Sequence, residues 1–175
     1  MSAATTAPEV QEIRTRSGRM IAVRPVSPAD EPLLAEFFDR VSDEDRRFRF
    51  LTAHKHLSHE QLVPMVEVDH FRTESFIAFD EATDTVIGHA MLACDNPLDT
   101  GEVAVAVCQN WRGKGVGWAL LDVLAEAGAR RGLRRVIAIE DRENHAAIDL
   151  EREKGFVPHA VEGDATLVML EKLLR

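Results

Sequence analysis

Three features of this sequence predict an α+β (mixed α/β) fold, a mixed sheet with helices on its faces. Strands and a block of three helices come first, and the remainder reads β-α-β-α-β-β. In the middle, at residues 101–117 (GEVAVAVCQNWRGKGVG), the apolar period changes from extended to helical across a glycine-rich turn. Finally, capping residues stand where the helices should begin. A doubly wound sheet would need more βα alternation than the first hundred residues provide.

Residues 10–15 and 19–26 are expected to form a hairpin around Ser17-Gly18. Ser27-Pro28-Ala29-Asp30 reads as a helix start, with serine at the N-cap and proline in the first turn. This first helix should bury Leu33, Leu34, Phe37 and Phe38. A break at Ser42-Asp43 precedes an arginine-rich helix over 44–50, and Ser58 caps a third that runs to about residue 67. Strands follow at 75–80 and 86–94, joined by a turn at 81–85. Residues 103–107 (VAVAV) read as a strand buried on both faces. Val116, Leu120, Val123, Leu124 and Ala127 then share one helix face. Residues 134–140 are a further strand, Asn144 caps a helix reaching Lys154, and Gly155 stops it in the left-handed conformation. Short strands at 156–159 and 166–170 complete the order.

A chain of 175 residues suits one domain, assigned to residues 9–175, behind a small polar tail at 1–8 that is expected to be disordered. A formal net charge of −9 argues against nucleic acid or an anionic membrane as partner and leans toward cationic substrates. The two cysteines, Cys94 and Cys108, do not make a disulfide framework, and neither a signal peptide nor a membrane-spanning run is visible. The cytoplasm is the expected compartment. Oligomeric state is left open, a homodimer included.

A strand passing through glycines into a helix aims unpaired N–H groups at one point, and the helix dipole adds to their attraction for an anion. Here Gly113, Gly115 and Gly117 alternate with Lys114 and Val116 behind Arg112. The P-loop pattern fails because Lys114 precedes glycine, not Ser or Thr. The dinucleotide pattern fails because Trp118 stands where its third glycine belongs. The pattern that fits is R-x-x-G-x-G, at Arg112, Gly115 and Gly117.

That motif, with Asn144 and Gly155-Phe156 in the last helix, resembles the GNAT superfamily of acetyl-CoA-dependent N-acetyltransferases, over about residues 18–170. A narrower similarity, to the acetyltransferase domain of bacterial protein-lysine acetyltransferases, rests on Arg24-Pro25, Asp30-Glu31, Leu33-Leu34, Phe37-Phe38, Arg49-Phe50, residues 58–62 and Glu102-x-Ala104-Val105. The resemblance implies a mostly antiparallel sheet of about seven strands that splays at its centre. It implies that acetyl-CoA lies with its pyrophosphate on the loop amides. The pantetheine arm would lie along Val105, Ala106 and Val107, with an N–H near Ala106 at the thioester oxygen. Asn144 would help hold pantetheine, although a plain N-cap explains it equally. The acceptor is expected to be a protein lysine or a small-molecule amine.

Attack on a thioester requires a neutral amine, and a lysine side chain has a pKa of about 10.4. By the same resemblance Glu102, at the strand start, is the candidate general base, acting through a bridging water. Alternation places it on the face of Ala104, Ala106 and Cys108 unless a bulge intervenes. A solvated glutamate at a strand end is the plain alternative. Many relatives place a tyrosine acid on the last helix; Glu151 stands there, and the chain has no tyrosine. A thiol pKa of about 8.5 allows the leaving group to take its proton from solvent. Lys154 replaces an apolar residue and is expected to alter only local packing.

Cys108 reads as core, not as a nucleophile, since no His-Asp arrangement adjoins it. His54, His56 and His59 lack the companion ligands of a metal site, and no metal is expected. No role is assigned to Arg46, Arg47, Phe48, Arg49 or Phe50. Asp95, Asp99, Glu102, Glu140 and Glu143 would form an acidic mouth if they converged. The alternatives are a non-catalytic acetyl-CoA sensor and a nicotinamide-dependent dehydrogenase, the latter prompted by a strand, glycines, a helix and then a strand ending in Glu140-Asp141.

Overall fold

The structure is a computed structural model and describes residues 9–50 and 54–175; the tail at 1–8 lies outside the described residues. The strands are β1 (Gln11–Arg14), β2 (Met20–Pro25), β3 (Thr73–Asp80), β4 (Thr85–Cys94), β5 (Thr100–Val107), β6 (Arg135–Asp141), β7 (Val157–Ala160) and β8 (Leu167–Leu173). The helices are α1 (Glu31–Asp39), α2 (Asp43–Phe50), α3 (His59–Val66), α4 (Val116–Arg130) and α5 (His145–Glu153). All eight strands join one sheet in the order β1-β2-β3-β4-β5-β6-β8-β7, one more strand than the resemblance implied. Every neighbouring pair is antiparallel except β5 and β6.

Local chemistry explains most boundaries. Thr15 N–H donates to Arg19 O at 2.8 Å and Gly18 N–H to Thr15 O at 2.9 Å, closing the β1–β2 turn. Ser27 leads first into a 3₁₀ turn, Pro28–Asp30, and only then into α1. Buried Asp30 accepts from Ser27 N–H at 2.8 Å and from both Arg24 terminal nitrogens at 2.8 Å. These bonds, led by Arg24, hold its carboxyl below the usual carboxylate range. Ser58 and Gln61 form a capping box at the start of α3.

The core gathers Leu34, Phe37 and Phe38 of α1, Ile77 and Leu92 of the sheet, and Leu120 and Leu124 of α4, all fully buried. The expected apolar face of α4, from Val116 to Ala127, is buried throughout. Leu33 departs from expectation at 37% exposure: it lies beside Leu34 on a helix whose buried face runs through Leu34, Phe37 and Phe38. Arg46 is buried and donates to Phe38 O at 2.9 Å and Val41 O at 2.8 Å, so one arginine of α2 caps the end of α1.

The sheet is split at its centre. β5 pairs with β4 in unbroken register from Gly101↔Cys94 to Val107↔Gly88, without a bulge. Its parallel pairing with β6 covers only Thr100↔Arg135, Gly101↔Val136 and Glu102↔Ile137. Beyond Glu102 the two strands part, and the β6-facing edge of β5 has no strand partner. Ala104, Val105 and Val107 are accordingly half-buried, not enclosed on both faces as their composition suggests.

Candidate active site

The split opens a cavity of about 700 Å³ between β5, β6, α2, α5 and the start of α4. One end is the glycine loop. Gly115 is the N-cap of α4 with φ +84°, and Gly113 also has positive φ, at +73°. A Cβ on Gly115 would lie 3.1 Å from Arg16 N, because the β1–β2 turn seats on the loop; Ser17 Oγ also donates to Lys114 O at 2.6 Å. Gly117 serves packing: a Cβ there would come within 2.9 Å of Leu150 Cδ2 on α5. No hydrogen-bond acceptor pairs with the N–H groups of Gly113 to Gly117 among the described residues. Free amides at a helix N-terminus fit a diphosphate. Arg16 and Arg112 line the cavity beside them, while Lys114 lies next to it, its ammonium 5.2 Å from the Trp111 ring centroid. Arg112 Nε is 3.5 Å from Asp45 Oδ2, which ties the loop to α2.

The other end is acidic. Glu102 is exposed to the cavity and occupies the last position at which β5 and β6 pair. Glu140 of β6 and Glu151 of α5 face the same space. Asn144 caps α5, its Oδ1 accepting from Ala147 N–H at 3.4 Å, while its Nδ2 donates to Glu140 Oε2 at 3.2 Å. Its N-cap role is therefore visible, and a second role is added, the orientation of Glu140. Arg49 lies between Glu102 and Glu140 in charge; burial lowers its pKa, and the two carboxylates oppose that shift. Its Nε is buried without an acceptor. Neighbouring His89 is fully buried and bonded to Ser75 Oγ at 2.8 Å; burial, then Arg49, pushes its pKa down to about 3, so it stays neutral.

Glu140, half-buried, and Glu151, buried, form a carboxyl pair at the cavity wall. Burial raises both pKa values, and Glu151, hydrogen-bonded to Glu140, is raised far above the carboxylate range. Glu151 is 5% exposed, and its Oε2 meets no donor. The pair keeps one proton at neutral pH. Unfolded glutamate has a pKa of about 4.3. The folded value is higher, so this contribution to stability is complete below about pH 4 and is lost as pH rises toward the folded value. Glu151→Gln cannot ionise. Its melting temperature should match that of the native protein near pH 4 and exceed it increasingly up to pH 8. The corresponding stability difference should grow by up to roughly 1.4 kcal/mol per pH unit. Thermal denaturation across that range reads it directly, and a pH-independent difference would show that no proton is retained.

The remaining expected acids do not converge. Asp95 accepts from the N–H groups of Asp99 and Thr100, Asp99 pairs with Arg134 at 3.2 Å, and Glu143 does not line the cavity. Cys108 is buried core. Lys154 pairs with Asp122 and lies 4.1 Å from the Trp118 ring centroid. His56 bonds Asp39 and His59 bonds Glu31. Arg16, Phe48, Arg49 and Trp118 also line the cavity, although the sequence assigns none of them a role there.

A family model described as the acetyltransferase (GNAT) family matches residues 31–156. The chain belongs to the GNAT acetyltransferase family. An acetyltransferase of Pseudomonas aeruginosa is 27% identical over 156 residues, covering 87% of this chain and 83% of its own. Among solved structures, the GNAT domain of PAT from S. lividans superimposes with a TM-score of 0.87 at 25% identity, covering 94% of this chain and 96% of that one. YncA of Salmonella typhimurium, determined with its cofactor acetyl-CoA, shares the fold at a TM-score of 0.70 and 20% identity, over 89% of this chain and 94% of its own. The enzyme is thus an acetyltransferase using acetyl-CoA, and the dehydrogenase alternative is overturned. Glu140 is instead engaged with Asn144 and Glu151. Among the described residues, no helix is long and apolar enough to cross a membrane, and no group of three or more His, Cys, Asp or Glu could hold a metal ion.

Proposed function

We propose that this enzyme, working in the cytoplasm as a single domain over residues 9–175, transfers acetyl from acetyl-CoA to a primary amine, first of all a protein lysine. The amides of Gly113, Lys114, Gly115, Val116 and Gly117, with Arg112, hold the pyrophosphate. The free edge of β5 at Val105, Ala106 and Val107 takes the pantetheine arm, with Asn144 opposite. Glu102 removes the amine proton through water. The observation carrying this reading is the position of Glu102, at the vertex where β5 and β6 part, in one cavity with the anion-binding loop. The acidic end formed by Glu102 and Glu140 favours a cationic acceptor, and the similarity to the GNAT domain of PAT favours lysine.

Release of free thiol from acetyl-CoA should therefore depend on acceptor, and lysine-bearing proteins should outpace polyamines and aminoglycosides. A reversed ranking would assign the enzyme to small amines. Tight coenzyme binding without acceptor-dependent thiol would make it a sensor.

A further inference from the structure

Acetyl transfer with Glu102 as base gives Arg49 no task, yet this arginine lines the cavity at its acidic end. Its guanidinium is held by soft contacts alone. Nη2 donates to Met91 Sδ at 3.6 Å, and Cζ lies 4.9 Å from the Phe50 ring centroid. Nε is buried with no acceptor. Among the described residues no oxygen accepts from Nη1, and no carboxylate stands within ion-pair distance of the group. A sulfur and a ring fix its plane without neutralising its charge. A poorly solvated cation is costly unless it is paired, so a guanidinium kept in this state implies an anion that arrives with a ligand.

Strand register places that anion. α2 packs against β5, and Met91 pairs with Ala104 across β4 and β5. Glu102 stands two positions from Ala104 on the same face of β5. Two strand positions span roughly 7 Å. A cation and a carboxylate are thus set side by side at the reacting end, away from the glycine loop at the other end of the cavity. An ammonium arriving at Glu102 offsets that glutamate and leaves the charge of Arg49 to be met. Guanidinium and carboxylate match as planar, forked groups. We propose that Arg49 is a carboxylate-recognition site, selecting substrates that carry a carboxylate close to the reacting centre. Either substrate can bring one: the acceptor, as an acidic side chain near the target lysine, or the donor, as a carboxyacyl chain on coenzyme A. The neighbouring place for an ammonium at Glu102 favours the acceptor. The inference rests on the acetyl-transfer reading above and narrows its substrate.

The test measures thiol release by the native enzyme, Arg49→Gln and Arg49→Lys, with folding followed by circular dichroism. One arm uses acetyl-CoA and lysine peptides with Asp or Glu one to three positions from the lysine, each against its Asn or Gln counterpart. The other arm uses a peptide with uncharged flanks and compares succinyl-CoA with butyryl-CoA. In the native enzyme the carboxylate member of a pair should be favoured in kcat/KM by roughly 10- to 100-fold. A preference in the first arm assigns the site to the acceptor, and one in the second assigns it to the acyl chain. Arg49→Gln should erase the preference, whereas Arg49→Lys, which keeps the charge without the fork, should retain only part of it. A merely structural role would slow both members of a pair alike. An active native enzyme with no preference in either arm, or a preference that survives in folded Arg49→Gln, would overturn this inference alone. Should Arg49→Gln not fold, an undiminished preference in Arg49→Lys overturns it equally. If the native enzyme releases no thiol with any donor or amine, the acetyl-transfer reading fails and this inference with it.

Discussion

Replacing Glu102 with glutamine should lower kcat at neutral pH by roughly 10²- to 10⁴-fold while leaving acetyl-CoA affinity nearly unchanged. The side chain stands at the last paired position of β5 and β6, where the strands begin to part and the cavity opens. Glutamine keeps that shape but cannot accept the amine proton. The deficit should also narrow as pH rises toward the amine's own pKa of about 10.4, because the acceptor then arrives deprotonated. A structural role would not produce that convergence. Stopped-flow thiol release from pH 7 to pH 10 measures both quantities, and unchanged turnover at neutral pH would refute the assignment.

The second large effect is expected at Gly115. Its φ of +84° is a region that residues with a Cβ occupy only under strain, and a Cβ would press to 3.1 Å from Arg16 N. Gly115→Ala must either keep the strained backbone or turn the loop, and turning the loop redirects the amides of Gly113 to Gly117. Acetyl-CoA affinity should fall by about tenfold or more, that is, by at least about 1.4 kcal/mol. Gly132→Ala is the control. Gly132 also has positive φ, +75°, with open space around it, but it lies at the far end of α4, away from the cavity. It should lose about 1–2 kcal/mol of stability and retain native affinity. Equal loss of affinity in both variants would attribute the effect to general destabilisation and remove the loop from the binding site.

Legibility in the sequence divides along a physical line. The glycine loop was readable because its constraints are local: positive φ, the helix N-terminus and the flanking arginine all fall within six residues. The caps at Ser58 and Asn144 were readable for the same reason. The acidic mouth was only half readable. Glu102 and Glu140 do meet, whereas Asp95 and Asp99 are consumed by their own turn and by Arg134. Nothing within reach of a local pattern separates these cases, since Asp99 and Glu102 are three residues apart. Arg49 was passed over because an arginine on a charged helix looks like a solvated one. Its neighbour Arg46 shows how misleading that impression is, since it is buried against the carbonyls that end α1.

By itself the sequence determined the succession of strands and helices, the place of the glycine loop and the identity of the strand beside it. These follow from period, capping and backbone freedom, which act over a few neighbouring residues. Only the tertiary structure decided where β5 and β6 separate, and that Glu140 and Glu151 become one proton-sharing pair. Strand separation depends on pairing between segments more than thirty residues apart, Glu102 with Ile137. The state of a carboxyl depends on how much water and which charges surround it once those segments have met.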